Sequence, residues 1–259
     1  MQAARRPGTN CSLDHAVSME RRLAATFACV HTPPVTRPIT PYLLTDACYV
    51  GRQDDASEFL HRILDPVRSP TLALRLRGHM TQTLRCTACD LTRPSQDERF
   101  QHITASLLTR FAAPIKSVQD AVDAYMPPEV IDDDLETPCS RCEGRRFSKE
   151  HAVTVAPEIL MVCLNRWADP ARPLLHYVEA TETLEFANTT HKLRAVVSHL
   201  GRSPHHGHYV AVTRHDTSNG AWWLYNDALR RKATPEEVAT RASLDGHGQM
   251  QSYVLLYER

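Results

Sequence analysis

Apolar positions recur at helical spacing in the first quarter of the chain. Leu13, Ala16, Val17, Leu23, Ala24 and Phe27 mark one helix, and Ala56, Phe59, Leu60, Ile63 and Leu64 mark a second over Asp54 to Leu64, which Pro66 ends. Between them Pro33-Pro34, Pro38 and Pro41 break regular structure, so a surface loop is expected. Later the chain becomes β-rich, over Pro157 to Trp167, Lys192 to His199, Tyr209 to Thr213, Trp222 to Tyr225 and Ser252 to Tyr257. These five segments predict a largely antiparallel sheet behind an N-terminal helical part, an α+β arrangement with any site at the junction. No internal repeat is present.

Two of the strand segments carry chemistry. His199-Leu-Gly-Arg-Ser-Pro-His-His-Gly-His208-Tyr-Val-Ala-Val is followed by Trp222-Trp-Leu-Tyr-Asn226-Asp227, and the intervening Thr217-Ser-Asn-Gly220 has hairpin composition. His208 then starts one strand and Asn226-Asp227 ends its neighbour. An imidazole oriented by an amide or carboxylate is half of a nucleophilic apparatus, which leaves a nucleophile to be found.

Composition changes this picture only by exclusion. The 259 residues are 42% hydrophobic and 23% charged, enough for a real core. Thirty basic and thirty acidic residues cancel, so nothing in the charge points to a nucleic-acid partner. No apolar run approaches membrane-spanning length, and Met1-Gln-Ala-Ala-Arg-Arg lacks the apolar core of a secretory signal, so a soluble protein of the cytoplasm or nucleus is expected, without a membrane partner. The acidic run Asp132 to Glu136 reads as a solvated loop.

Eight cysteines in such a setting point to metal or catalysis before disulfides. Cys86-Thr-Ala-Cys89 and Cys139-Ser-Arg-Cys142 are two CxxC pairs with 49 residues, 90 to 138, between them. That pattern suits two knuckles sharing one tetrahedral Zn2+; reduced, unliganded thiols are the alternative. Cys29, Cys48 and Cys163 lie among apolar residues and read as buried small hydrophobes. Cys11, in Pro7-Gly-Thr-Asn-Cys11-Ser-Leu-Asp-His, lies at or near a helix N-terminus, where the helix dipole and a nearby imidazolium favour the thiolate; an incidental cysteine near the terminus is the other reading.

These blocks, in this order, resemble the ubiquitin-specific protease family of papain-like cysteine deubiquitinases over nearly the whole chain. Gly8-Thr-Asn-Cys11 resembles the cysteine box, and Gln53-Asp-Asp-Ala-Ser-Glu58-Phe-Leu the Gln-Gln-Asp-Ala-His-Glu-Phe-Leu block. The CxxC pairs resemble the zinc ribbon of the fingers, with Glu98-Arg-Phe100 between them. Pro157-Glu-Ile-Leu-Met-Val-Cys-Leu-Asn-Arg-Trp resembles the Pro-x-x-Leu-x-x-x-Leu-Lys-Arg-Phe strand, and Gly207-His208-Tyr209, Trp223-Leu-Tyr-Asn226-Asp227 and Ser252 to Tyr257 resemble the histidine box and final strand.

The resemblance implies one catalytic domain over 1–259, with a helical thumb at 1–75, zinc-binding fingers at 76–155 and an antiparallel β palm at 156–259. It implies Cys11 as nucleophile, His208 as general base and later acid, Asn226 as the orienting residue with Asp227 in reserve, and Cys86, Cys89, Cys139 and Cys142 as ligands of one structural Zn2+. The implied reaction is thiol-dependent hydrolysis after the C-terminal glycine of ubiquitin through a thioester, by a monomer whose partners are ubiquitin or ubiquitinated proteins.

Departures from the family pattern leave a second function open. Arg6 stands where the family has an oxyanion-holding Asn, and losing one such donor costs about a hundredfold or more in rate. Asn10, Asp227 or backbone amides are the replacement donors available. The cysteine box also reads Gly-Thr-Asn-Cys instead of Gly-Asn-Thr-Cys, Ser12 replaces an aromatic residue, and Asp14-His15 replace Asn-Ser. Asn165 takes the place of a strand Lys, a surface change. A catalytically weakened ubiquitin-binding module that keeps fold and zinc is therefore the alternative. Finally, Leu72-Ala-Leu-Arg-Leu-Arg-Gly78-His79 is similar to the tail of ubiquitin itself. It reads either as a strand leading into the first knuckle or as a self-inhibiting substrate mimic.

Overall fold

The computed structural model describes residues 55–67, 69–94, 96–131, 137–169, 171–203, 206–214, 220–244 and 248–259. Cys11 and its helix, Cys29, Cys48, the proline-rich loop, Gln53-Asp54, the acidic run and most of the Thr217–Gly220 connection lie outside these residues. Two compact units divide the chain, Met1–Ala73 and Leu74–Arg259.

In the first unit, helix α1 (Ala56–Leu64) starts where Asp55, in extended backbone, accepts hydrogen bonds from the amides of Ser57 and Glu58 at 2.8 and 3.1 Å. The cap satisfies donors that the first turn cannot pair internally. Its apolar stripe buries Ile63, with Phe59, Leu60 and Leu64 packed beside it, as the spacing predicts.

Helix α2 (Pro70–Leu76) corrects one expectation. Leu72 to Leu76 are helical, and the strand β1 (Gly78–Cys86) begins only after them. Proline at the first helical position and a run of Leu and Ala favour the helix, and a ubiquitin-like tail would have to be extended. Gly78 has a local reason for being glycine: a Cβ there would lie 2.2 Å from the Phe100 ring.

Two sheets follow. The smaller has the order β2-β1-β5-β4, with β2 at Gln96–Phe100, β4 at Glu129–Ile131 and β5 at Phe147–Val155, all antiparallel. The expected insertion is thus itself a sheet, which the polar, poorly alternating sequence of these strands hid. The larger sheet runs β11-β10-β9-β8-β13-β6-β3, with β7 and β12 attached to β8 and β13. Its strands are β3 (His102–Ser106), β6 (Ile159–Asn165), β7 (Thr183–Phe186), β8 (Thr189–Ser203), β9 (His206–Arg214), β10 (Trp222–Asn226), β11 (Leu229–Lys232), β12 (Ser243–Leu244) and β13 (Gly248–Glu258). Only β3 with β6 is parallel among the named pairings.

Strand β6 is buried along nearly its whole length, Leu160 to Leu164, which is why it reads as a continuous apolar run. Helix α3 (Val118–Tyr125), capped by Ser117, puts Val118, Ala121 and Val122 into the same core as Leu160, Val162, Leu164, Val196 and Leu255. Each of these Val and Leu side chains contributes about 1.5–3 kcal/mol by leaving water. A second core joins Leu200, Val210, Val212, Leu224 and Met250 across β8, β9, β10 and β13. Cys163 is buried, as its surroundings imply.

Arg166, just beyond β6, is fully buried. Its Nε donates to the Ser252 carbonyl at 2.6 Å, and its terminal nitrogens donate to the carbonyls of Leu174 and His176 at 2.7 and 3.0 Å and to Ser252 Oγ at 3.3 Å. Burial pulls its pKa down to about 10. The guanidinium fixes the chain after β6 to β13 through several carbonyls, a role that no spacing in the sequence announces.

Candidate active site and metal centre

The β9–β10 pairing sets Tyr225 opposite Ala211 and Leu224 opposite Val212, which brings the two predicted site strands together as neighbours. His208 lies near the start of β9 and Asn226 ends β10. The side chains of His208, Val210 and Val212 alternate onto the same face as Leu224 and Asn226. There His208 Nε2 donates to Asn226 Oδ1 at 2.6 Å. A carbonyl oxygen can only accept, so Nε2 carries the proton and Nδ1 is the basic nitrogen of the ring.

Asp227 takes a different position. Asn226 pairs with Leu229 across a two-residue turn, and Asp227, at the first turn position, has φ +49°. Asp and Asn tolerate this left-handed backbone, and such turns favour them. The turn carries its side chain outward, 82% exposed, with Oδ2 3.9 Å from His208 Nε2. Asn226 is the imidazole's hydrogen-bond partner, and Asp227 is a solvent-exposed carboxylate at the edge of ion-pair distance.

The backbone beside His208 is tightly packed. A Cβ on Gly207 would lie 2.1 Å from His199 Nε2 and 2.7 Å from the Leu200 carbonyl. His199 is buried, edge-on to Trp167 at 5.3 Å and to Tyr209 at 5.0 Å between ring centroids. A glycine inside a strand is the sequence signal for such close approach. Cys11, Arg6 and Asn10 lie outside the described residues.

The four CxxC cysteines meet. Cys86 Sγ is 3.6 Å from Cys142 Sγ, Cys89 Sγ is 3.5 Å from Cys139 Sγ, and all four sulfurs lie within 4.8 Å of one another. Both knuckles have the same geometry: the Asp90 amide donates to the Cys86 carbonyl and the Glu143 amide to the Cys139 carbonyl, with φ of 57° and 58° at Asp90 and Glu143. Thr87 donates from its amide and hydroxyl to the Arg146 carbonyl, and Arg141 donates to the Cys89 carbonyl, tying one knuckle to the other. Arg93 donates to the Thr137 and Pro138 carbonyls and lies over the Phe147 ring at 4.3 Å.

Amide hydrogen bonds from Arg141 and then Cys142 pull the Cys139 thiol down to about 6. For Cys142 the Gly144 amide is the largest single influence and lowers the value, but the Cys89 and Cys86 sulfurs together with burial outweigh it and push the thiol up to about 12. Four sulfurs converging on one point form a donor set suited to a single cation.

A model of the family described as ubiquitin carboxyl-terminal hydrolase matches residues 9–257. The chain belongs to that family. It is 24% identical to ubiquitin carboxyl-terminal hydrolase 25 of Arabidopsis thaliana, over 95% of this chain and 41% of that protein. It is 26% identical to ubiquitin carboxyl-terminal hydrolase 36 of Drosophila simulans, over 90% of this chain and 26% of that protein. The chain therefore spans well under half the length of these curated relatives. Among solved structures, a chain of the SAGA DUB module bound to ubiquitin aldehyde superposes with a TM-score of 0.69 and 18% identity, over 96% of this chain and 65% of that one. At that identity the likeness establishes the fold: the α+β ubiquitin-specific protease architecture expected from the sequence.

Proposed function

We propose that this chain is a thiol deubiquitinase that hydrolyses the bond after the C-terminal glycine of ubiquitin. The observation that carries this reading is the 2.6 Å hydrogen bond from His208 Nε2 to Asn226 Oδ1. It fixes the tautomer in which Nδ1 can take the proton of Cys11, the proposed nucleophile. The thiolate attacks the glycine carbonyl, His208 returns the proton to the leaving amine, and a thioester forms. Water then attacks the thioester with His208 again as base, releasing the carboxylate and restoring the thiol. Asp227, exposed to solvent 3.9 Å from Nε2, adds a screened charge to the imidazolium.

Cys86, Cys89, Cys139 and Cys142 are proposed to hold one Zn2+. Four sulfurs at zinc bond lengths of about 2.3 Å would stand about 3.8 Å apart, and the separations of 3.5 and 3.6 Å fit that requirement. Four thiolates leave no open position, so the ion would stabilise the fingers and take no part in the reaction.

The test is incubation with a ubiquitin bearing a C-terminal electrophile. An adduct formed by the native chain and lost in Cys11→Ala supports the hydrolase. No adduct alongside measurable ubiquitin affinity replaces it with the binding module that the altered cysteine box allows.

A further inference from the structure

Strand β11 is the outermost strand of the large sheet among the described residues. It closes the turn that presents Asn226. Its Arg231 pairs with Leu224 across the sheet, and residues opposite one another share a face. Arg231 therefore stands on the His208–Asn226 face, one same-face position along from Asn226.

Over that face lies the short helix α4 (Pro235–Val238). Its Glu237 is 3% exposed, and both carboxylate oxygens accept from the Arg231 guanidinium, Oε2 at 2.8 Å. The same Oε2 accepts from the Thr234 amide at 2.8 Å, while Thr234 Oγ1 accepts from the Glu237 amide at 3.3 Å. This reciprocal capping box makes Glu237 a fixed anchor. Val238 packs against the core that contains Val210, Val212 and Leu224, so the anchor is itself tied to the sheet.

We infer that the Arg231–Glu237 pair positions the site: it clamps β11, and with it the Asp227–Ala228 turn, so that Asn226 Oδ1 stays on His208 Nε2. This rests on the reading of His208 and Asn226 as base and orienting residue. In this reading Arg231 and Glu237 act through the turn and Asn226, not on the reacting atoms. The relation is unequal, because Arg231 is 40% exposed on its side chain while Glu237 is 4% exposed. Removing Arg231 strands a buried carboxylate; removing the Glu237 charge leaves a solvated guanidinium.

The test compares Arg231→Met, Arg231→Lys and Glu237→Gln with the native chain on ubiquitin carrying a C-terminal coumarin amide, and records the 15N signals of the His208 ring. Glutamine also serves in a capping box, so Glu237→Gln keeps α4 closed should Arg231→Met fail to fold. Expected are a fall in kcat of about tenfold to a hundredfold in Arg231→Met, a smaller fall in Glu237→Gln, KM within about twofold, and recovery of most activity in Arg231→Lys. The two ring-nitrogen signals are expected to be widely separated in the native chain and to move toward one another in the variants as the tautomer is released. Unchanged kcat and unchanged nitrogen signals in variants that have merely lost thermal stability would overturn the inference. If the native chain does not turn over the substrate, the hydrolase reading fails by itself, and the nitrogen signals still decide the role of the pair.

Discussion

His208 Nε2 lies 2.6 Å from Asn226 Oδ1 and 3.9 Å from Asp227 Oδ2, so adjacent residues in sequence hold unequal places around one imidazole. The amide sits at the end of a strand and the carboxylate on a solvent-facing turn. Asn226→Ala should therefore lower kcat by about a hundredfold or more, through loss of the ordered tautomer, while Asp227→Ala costs less than about tenfold. Steady-state kinetics with a ubiquitin amide substrate reads both. The reverse order would move the orienting role to Asp227.

Gly207, next to His208, leaves no room for a side chain. A methyl group there must displace His199 or the β8 backbone, so Gly207→Ala should shift His208 and reduce kcat at least about tenfold at temperatures where the variant remains folded. Native-like kinetics in that variant would show that the strand relaxes freely.

Arg166 and Ser252 join β6 to β13 through a buried guanidinium whose four acceptors are uncharged oxygens. Arg166→Met leaves those oxygens unsatisfied, and destabilisation of about 3 kcal/mol or more is expected in urea unfolding. Arg166→Lys should recover little, because an ammonium cannot reproduce the planar fork. A loss below about 1 kcal/mol would mean that the carbonyls find other donors.

At the proposed zinc site, purified protein should carry close to one zinc per chain, and a strong chelator should lower its Tm. Arg93 braces the second knuckle from the first through the Thr137 and Pro138 carbonyls and the Phe147 ring. Arg93→Ala should weaken zinc affinity by about tenfold to a hundredfold in chelator competition, without removing a ligand. Metal analysis finding no zinc would discard the tetrathiolate assignment.

The Glu237 carboxyl is held below its ordinary value of 4.5, chiefly by the Arg231 hydrogen bonds. A carboxyl depressed by folding adds stability above its unfolded pKa, and that increment disappears as pH falls through the folded value. The Tm difference between the native chain and Glu237→Gln should then be greatest near neutral pH and shrink as acidification passes 4.5 and then the carboxyl's lower folded value. A difference that persists in acid would assign the effect to packing, not charge.

Helix α1 followed from the spacing of Ala56, Phe59, Leu60, Ile63 and Leu64, and the strands around His208 and Asn226 from alternation, because a local period already states which face is buried. The CxxC pairs were legible for the same reason: a knuckle is a local turn. The extent of β8 was not, since its fifteen residues are held by pairing with β7, β9 and β13. Nor was the helix at Leu72 to Leu76, whose likeness to a ubiquitin tail pointed to extended chain. There local helix propensity and an N-terminal proline prevailed.

By itself, then, the sequence determined the kinds of residue available and the short-range elements that carry them: two cysteine knuckles, an imidazole strand and an Asn-Asp strand end. Tertiary structure decided which of them meet. It set Cys86 beside Cys142 and Cys89 beside Cys139 across some fifty residues, put Asn226 in hydrogen-bond reach of His208 while a left-handed turn carries Asp227 outward, and buried Arg166 and Glu237 against partners distant in sequence or on another element. The physical reason is range. Periodicity and spacing act over a few residues, whereas these contacts exist only once strand register and core packing have fixed where distant segments lie.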